Sequence, residues 1–143
     1  MKPLARAANA AFTLIEIMLV IIIVVALMAV LIPNLKNALS DSKRGQAEIY
    51  VQKLSGDLSL YEMANSSPPS TAQGLRALVE MPAGEPRPRK WSQREEKIEP
   101  DPWGMEYLYE FPGKRNKTGF DVYSSGPDRQ PGTADDIGNW TTQ

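Results

Sequence analysis

"AFTLIEIMLVIIIVVALMAVLIP", Ala11 to Pro33, is the stretch on which the fold turns. From Phe12 to Ile32 only Thr13 and Glu16 interrupt an apolar run. At 1.5 Å per residue the run is close to the roughly 20 residues that cross a bilayer core as a helix. Apolar side chains on every helical face argue against the one-sided stripe of a soluble core helix. A cleavable secretory signal is also a poor fit, because small residues in an A-x-A pattern should follow the apolar run, whereas "ANAA" precedes it and "LIPNLK" follows it. Lys2 and Arg6 lie ahead of the run with no acid beside them, which places the N-terminus in the cytoplasm and everything after Pro33 outside. Glu16 remains to be explained. A carboxylate in hydrocarbon costs about 2.5 to 3.5 kcal/mol on the insertion scale, so it calls for a partner.

The whole chain has 143 residues, which leaves room for a membrane segment and one modest domain but for no large enzyme core. A formal net charge of -1, with no clustered basic face, gives no reason to expect nucleic acid as a partner. Cys and His are both absent, which removes disulfides, thiolate metal sites, most zinc sites and the commonest general base. Glu95 and Glu96 are a possible acid pair for catalysis. Adjacent residues tend to point apart, and Arg94 and Lys97 on either side suggest a solvated surface.

Beyond Pro33, which should kink or loosen the helix, Ala47, Tyr50, Val51, Leu54, Leu58 and Tyr61 recur at helical steps, with Lys43, Arg44, Glu48, Lys53 and Asp57 on the other side. This is an amphipathic continuation of the same helix, stopped near Asn65 by Pro68 and Pro69. The apolar stripe reads as core packing against a soluble head. Ser70 and Gln73 have capping-box spacing and predict a short second helix ending before Pro82. "PAGEPRPRKW" is an ordered loop or a polyproline stretch. "DPWG" at Asp101 to Gly104 is a turn leading into a strand in "EYLYEF", and "PGKRNKTG" separates that from a second strand in "FDVYS". A third antiparallel strand is expected but has no assigned residues.

The last stretch, "SSGPDRQPGTADDIGNW", brings Asp128, Asp135 and Asp136 within nine residues around Gly126, Pro127, Pro131 and Gly132. Oxygen ligands on a bent loop suit Ca²⁺ better than softer metals, though the spacing is not that of an EF-hand. The same pattern also describes a solvated turn whose aspartates cap nearby backbone N–H groups. Residue chemistry alone leaves both readings open.

The string "A-FTLIEIMLVIIIVVALMAVLIPNL" resembles the N-terminal signature of type IV pilins and of the pseudopilins of type II secretion systems. "PPSTAQGLRALV", "DPWGMEYLY" and "FDVYSSGPDRQPGTADDIGNW" resemble the head of the major pseudopilin. The resemblance implies an α+β fold, in which a long N-terminal helix, half transmembrane and half amphipathic, packs on a small head with a short helix, a small antiparallel sheet and a C-terminal calcium loop. It divides the chain into a cleaved basic leader 1–11, an assembly helix 12–33, its amphipathic continuation 34–66 and a periplasmic head 67–143 with the calcium loop at 124–140. It also implies that a prepilin peptidase cuts between Ala11 and Phe12 and methylates the new amine of Phe12, with Ala11 standing where the family usually has Gly. Glu16 would then neutralise the terminal amine of a neighbouring subunit, whereas residue chemistry alone equally allows a Glu near the headgroups, solvated or paired with its own Phe12 amine. The calcium ligands carried over by position are the side chains of Asp128, Asp135 and Asp136 with main-chain carbonyls around Ser125 and Thr133.

The implied function is structural. The chain would polymerise with itself into the periplasmic pseudopilus of a type II secretion system, with minor pseudopilins and an inner-membrane assembly platform as partners, membrane lipid around the helix before assembly, and folded proteins exported across the outer membrane as the outcome. The alternative is a type IV pilin of a surface filament for adhesion or motility, although pilins of that kind often close a C-terminal loop with a disulfide, and Cys is absent. A single-pass membrane-tethered enzyme or binding domain is the third class, and no His, Cys or nucleophile motif supports catalysis.

Overall fold

The computed structural model describes residues 13–140. These fall into two compact units, one up to Leu39 and one from Ser40 onward. A single helix, α1 (Leu14–Asn65), contributes to both and continues past Pro33, which has no N–H and so removes one bond from the helical ladder. Thr13 caps its start, with its hydroxyl accepting the Glu16 N–H at 3.3 Å.

In the first unit the large apolar side chains from Leu14 to Leu39 are exposed along their length. The helix is long and apolar enough to cross a membrane. Exposure of that many Ile, Val and Leu residues on all sides has no counterpart in a water-facing helix, whose apolar residues hide on one face.

The second unit is built on the other half of α1. Ala47, Val51, Leu54, Leu58 and Tyr61 are buried, as the three- and four-residue spacing predicts. All but Ala47 share a core with Leu75, Ala77, Leu78, Tyr107, Phe120 and Val122. Each fully buried Leu or Val contributes about 1.5 to 3 kcal/mol relative to exposure, so this stripe contributes substantially to the head's stability. Around the stripe, Trp91 donates its indole N–H to the Ala77 carbonyl at 2.8 Å, and the Tyr109 hydroxyl donates to the Pro69 carbonyl at 2.7 Å.

The expected second helix is shorter and tighter than its sequence suggests. Ser70 and Gln73 do make the reciprocal capping pair, Ser70 N–H to Gln73 Oε1 at 2.9 Å and Gln73 N–H to Ser70 Oγ at 3.3 Å. Gly74 then turns to φ +57, and only a 3₁₀ turn follows, Leu75–Leu78. The cap is formed, but the residue after it leaves the helical region, so no α-helix propagates from it.

The sheet has three short antiparallel strands in the order β1 (Leu108–Glu110), β2 (Asp121–Ser124) and β3 (Ile137–Gly138). Leu108 pairs with Tyr123, Glu110 with Asp121, and Ser124 with Ile137. The first two strands lie within the predicted segments. The third, which had no assigned residues, comes from the stretch read as the calcium loop. Next to β1, the Thr71 hydroxyl donates to the Phe111 carbonyl and accepts the Phe111 N–H, both at 2.9 Å.

Candidate functional site: the C-terminal loop and its supports

The loop leaves β2 at Ser124 and returns through β3, so both of its ends are held by the sheet. Gly126 sits at φ +67, and a Cβ there would lie 2.4 Å from the Asp135 carbonyl oxygen, so only glycine allows the two arms to approach this closely. Arg129 and Gly132 also adopt positive φ, at 60° and 91°.

The three aspartates expected as ligands have different surroundings. Asp128 Oδ1 accepts the Gln130 N–H at 2.8 Å. Asp135 Oδ2 accepts the Asp128 N–H at 3.2 Å, and its Oδ1 accepts the Thr133 hydroxyl at 2.5 Å. The Thr133 hydroxyl, followed by backbone N–H donors, holds the Asp135 carboxyl below the usual range. Asp136 Oδ2 accepts the Gly132 N–H at 2.8 Å, while its Oδ1 is buried with no hydrogen-bond partner. Ser125 is 2 % exposed.

Among the described residues no three acidic side chains converge closely enough to hold a metal. Asp128 and Asp135 are instead linked through the backbone. The donor set nonetheless fits a hard cation. It consists of oxygen only, it includes carbonyls on a tightly bent backbone, and it contains one buried carboxylate oxygen that no donor satisfies. Calcium takes backbone carbonyls and waters as well as carboxylates, and so does not need a three-carboxylate cluster. A buried acceptor left unsatisfied costs about 1 to 3 kcal/mol or more, so Asp136 Oδ1 marks where a positive charge would be welcome.

Four residues outside the predicted set support this loop. Asp101, within the predicted turn, accepts the Trp103 and Met105 N–H groups at 3.0 and 2.8 Å through Oδ1 and the Ser124 hydroxyl at 2.5 Å through Oδ2. Asp121, 2 % exposed, accepts the Arg115 and Asn116 N–H groups at 2.7 and 2.9 Å and shapes the β1–β2 connection. Asn139 locks the loop's exit, accepting the Val122 N–H at 3.1 Å and donating to the Phe120 carbonyl at 3.0 Å. Trp140 packs against Tyr123 with the rings tilted and their centroids 5.3 Å apart, the Arg115 guanidinium lies 4.7 Å from its ring centroid, and its indole covers Gly138 so closely that no Cβ would fit. Asp121 did leave a trace in the sequence, since Asp is depleted in strands and here interrupts an apolar one.

Glu16 lies in the first turn of α1 and is exposed. Ala11 and Phe12, the expected cleavage point, lie outside the described residues. Glu95 departs from its sequence reading. It is 9 % exposed and pairs with Lys53, whereas Glu96 is exposed, so the two adjacent acids do not act as a pair.

A long, apolar N-terminal helix carrying a small head with a three-stranded sheet and a structured C-terminal loop defines a pilin-like subunit. A crystal structure of the major pseudopilin from the type 2 secretion system of enterohaemorrhagic Escherichia coli is similar over 78 % of this chain and 96 % of that one, with a TM-score of 0.68 and 37 % identity. The family described as Type II secretion system (T2SS), protein G matches residues 34–140, and the chain belongs to that family. The type II secretion system core protein G of Dickeya chrysanthemi is 42 % identical over 131 residues, covering 90 % of this chain and 84 % of its own. That of Pectobacterium carotovorum subsp. carotovorum is 41 % identical over 131 residues, covering 90 % and 83 %. The family is structural rather than enzymatic, and the matches favour secretion over a surface type IV pilin.

Proposed function

We propose that this chain polymerises with copies of itself into the periplasmic pseudopilus of a type II secretion system, whose growth drives folded proteins across the outer membrane. The observation that carries the reading is the apolar half of α1, exposed on every side, in a chain of the protein G family. Such a surface is stable in lipid before assembly and against other copies afterwards. A prepilin peptidase cuts between Ala11 and Phe12 and methylates Phe12, and minor pseudopilins and an inner-membrane platform organise the growing fibre. The N-terminus faces the cytoplasm and the head faces the periplasm, in line with Lys2 and Arg6 ahead of the apolar run.

Glu16 pairs with the Phe12 amine of a neighbouring protomer, which offsets the burial of both charges and selects one register between helices that could otherwise slide. Mass spectrometry of fibres assembled with the whole secretion system tests this. Loss of residues 1–11 and a methyl group on Phe12 are expected, and Glu16→Ala should abolish assembly. Fibres that retain the leader would leave Glu16 without its counter-charge and overturn the assignment.

The C-terminal loop binds Ca²⁺ through the side chains of Asp128, Asp135 and Asp136 and main-chain carbonyls around Ser125 and Thr133. The unpartnered Oδ1 of Asp136 supports this. Bound calcium would supply a fixed positive charge that closes the loop. A head of about 78 residues without disulfides is near the size at which a domain gains from such a staple.

A further inference from the structure

The loop's supports contain a directional relay. Asp101 is 4 % exposed, and its carboxylate takes three donors, one of them the Ser124 hydroxyl at 2.5 Å. Ser124 is fully buried at the end of β2, and its Oγ accepts the Gly126 N–H at 3.1 Å. The Gly126 N–H donates to Ser124 Oγ, so the Ser124 hydrogen points instead to Asp101 Oδ2 and its lone pairs are left for Gly126. The bond between Ser125 and Gly126 is trans and planar, so its N–H and C=O point in opposite directions. Fixing the Gly126 N–H on Ser124 therefore fixes the direction of the Ser125 carbonyl, in a residue 2 % exposed.

We propose that Asp101, acting through Ser124, is the positioning residue that aims the Ser125 main-chain carbonyl as a calcium ligand. This rests on the calcium reading of the loop given above. It places part of the metal site's control in the turn at residues 101–104, 23 residues before the loop. Partners one step removed from a metal typically change affinity by about 10- to 100-fold when lost.

Calorimetric titration of Ca²⁺ into the full-length, detergent-solubilised chain tests it, at a temperature where every variant is folded by circular dichroism. Ser124→Ala removes the acceptor for Gly126. Asp101→Asn can turn an amide N–H toward Ser124 and reverse the polarity of the relay. Each should weaken calcium binding by about tenfold or more. The double variant should be no weaker than the worse single one, because both break one chain. Val51→Ala, in the core stripe away from the loop, should lower the melting temperature without changing calcium affinity, which separates positioning from general destabilisation. If wild type binds calcium and Ser124→Ala and Asp101→Asn bind it equally well, the relay is wrong while the calcium site stands. If wild type does not bind, the calcium reading and the relay fall together.

Discussion

Lys53 and Glu95, forty-two residues apart, form an ion pair that fastens the segment after Trp91 to α1. The Glu95 and Arg94 N–H groups both donate to the Leu78 carbonyl, at 3.1 and 2.9 Å, so the same short segment is also tied to the 3₁₀ turn. Hydrogen bonding to Glu95 raises the Lys53 pKa. Lys53→Met would leave a nearly buried carboxylate without its cation. Because Lys53 is half exposed and water can partly replace it, the expected loss is about 1 to 2 kcal/mol rather than the full penalty of a buried pair. A thermal melt unchanged from wild type would show that the pair holds nothing in place.

Asp57 lies one helical turn beyond Lys53. Burial first, and then the neighbouring Glu95, raise its pKa above the ordinary carboxylate value. A carboxyl group whose pKa is raised on folding stabilises the fold fully below its unfolded value, and that contribution is lost as pH rises through the folded value. At pH 7 ionised Asp57 is therefore a cost to the folded state. Asp57→Asn should raise the melting temperature at pH 7 by up to a few degrees and leave it unchanged near pH 3. A lower melting temperature at pH 7 would mean that its attraction to Lys53 outweighs the other two influences.

Gly126 and Gly132 offer an internal comparison. Both have positive φ, at 67° and 91°, but a Cβ at Gly126 meets the Asp135 carbonyl at 2.4 Å, whereas one at Gly132 meets nothing within 4 Å. Gly132→Ala carries only the conformational strain, about 1 to 2 kcal/mol. Gly126→Ala carries that strain and must also push the two arms of the loop apart. Limited proteolysis should cut the Gly126→Ala loop well before wild type, with Gly132→Ala in between. Equal protection of the two variants would show that the close approach is not what closes the loop.

Chelation gives a complementary test of the loop. A ligand bound only by the folded state stabilises it by about 2.7 kcal/mol at a hundredfold excess over its dissociation constant. Excess chelator should therefore lower the melting temperature by several degrees and expose the loop from Ser125 to Asp136 to protease. Identical melts with and without chelator would remove calcium as a structural element of this head.

Much of this architecture was legible because helical periodicity is a strong signal. The stripe from Ala47 to Tyr61 and the stop at Asn65 follow from spacing and from Pro68 and Pro69. The two-residue β3 is too short for any alternation to show, and it lies among turn residues, so it looked like loop. Gly74 cut short a helix that its own cap announced, because φ at a glycine is not written in the residues around it. Lys53 and Glu95 each looked like solvated surface, and only the fold brings them together. The aspartates of the C-terminal loop were found by composition, whereas Asp101 and Asn139, which hold that loop by contacts across the fold, left no local pattern as distinct.

Thr71 has a consequence for life in a crowded polymer. Its hydroxyl occupies both backbone groups of Phe111, immediately after the outermost strand, while the opposite margin of the sheet is only two residues long. Both margins are short, three residues at β1 and two at β3, so heads held side by side have only a short row of N–H and C=O groups on which to zip together as continuous β structure. Contacts between heads are thereby left largely to side chains.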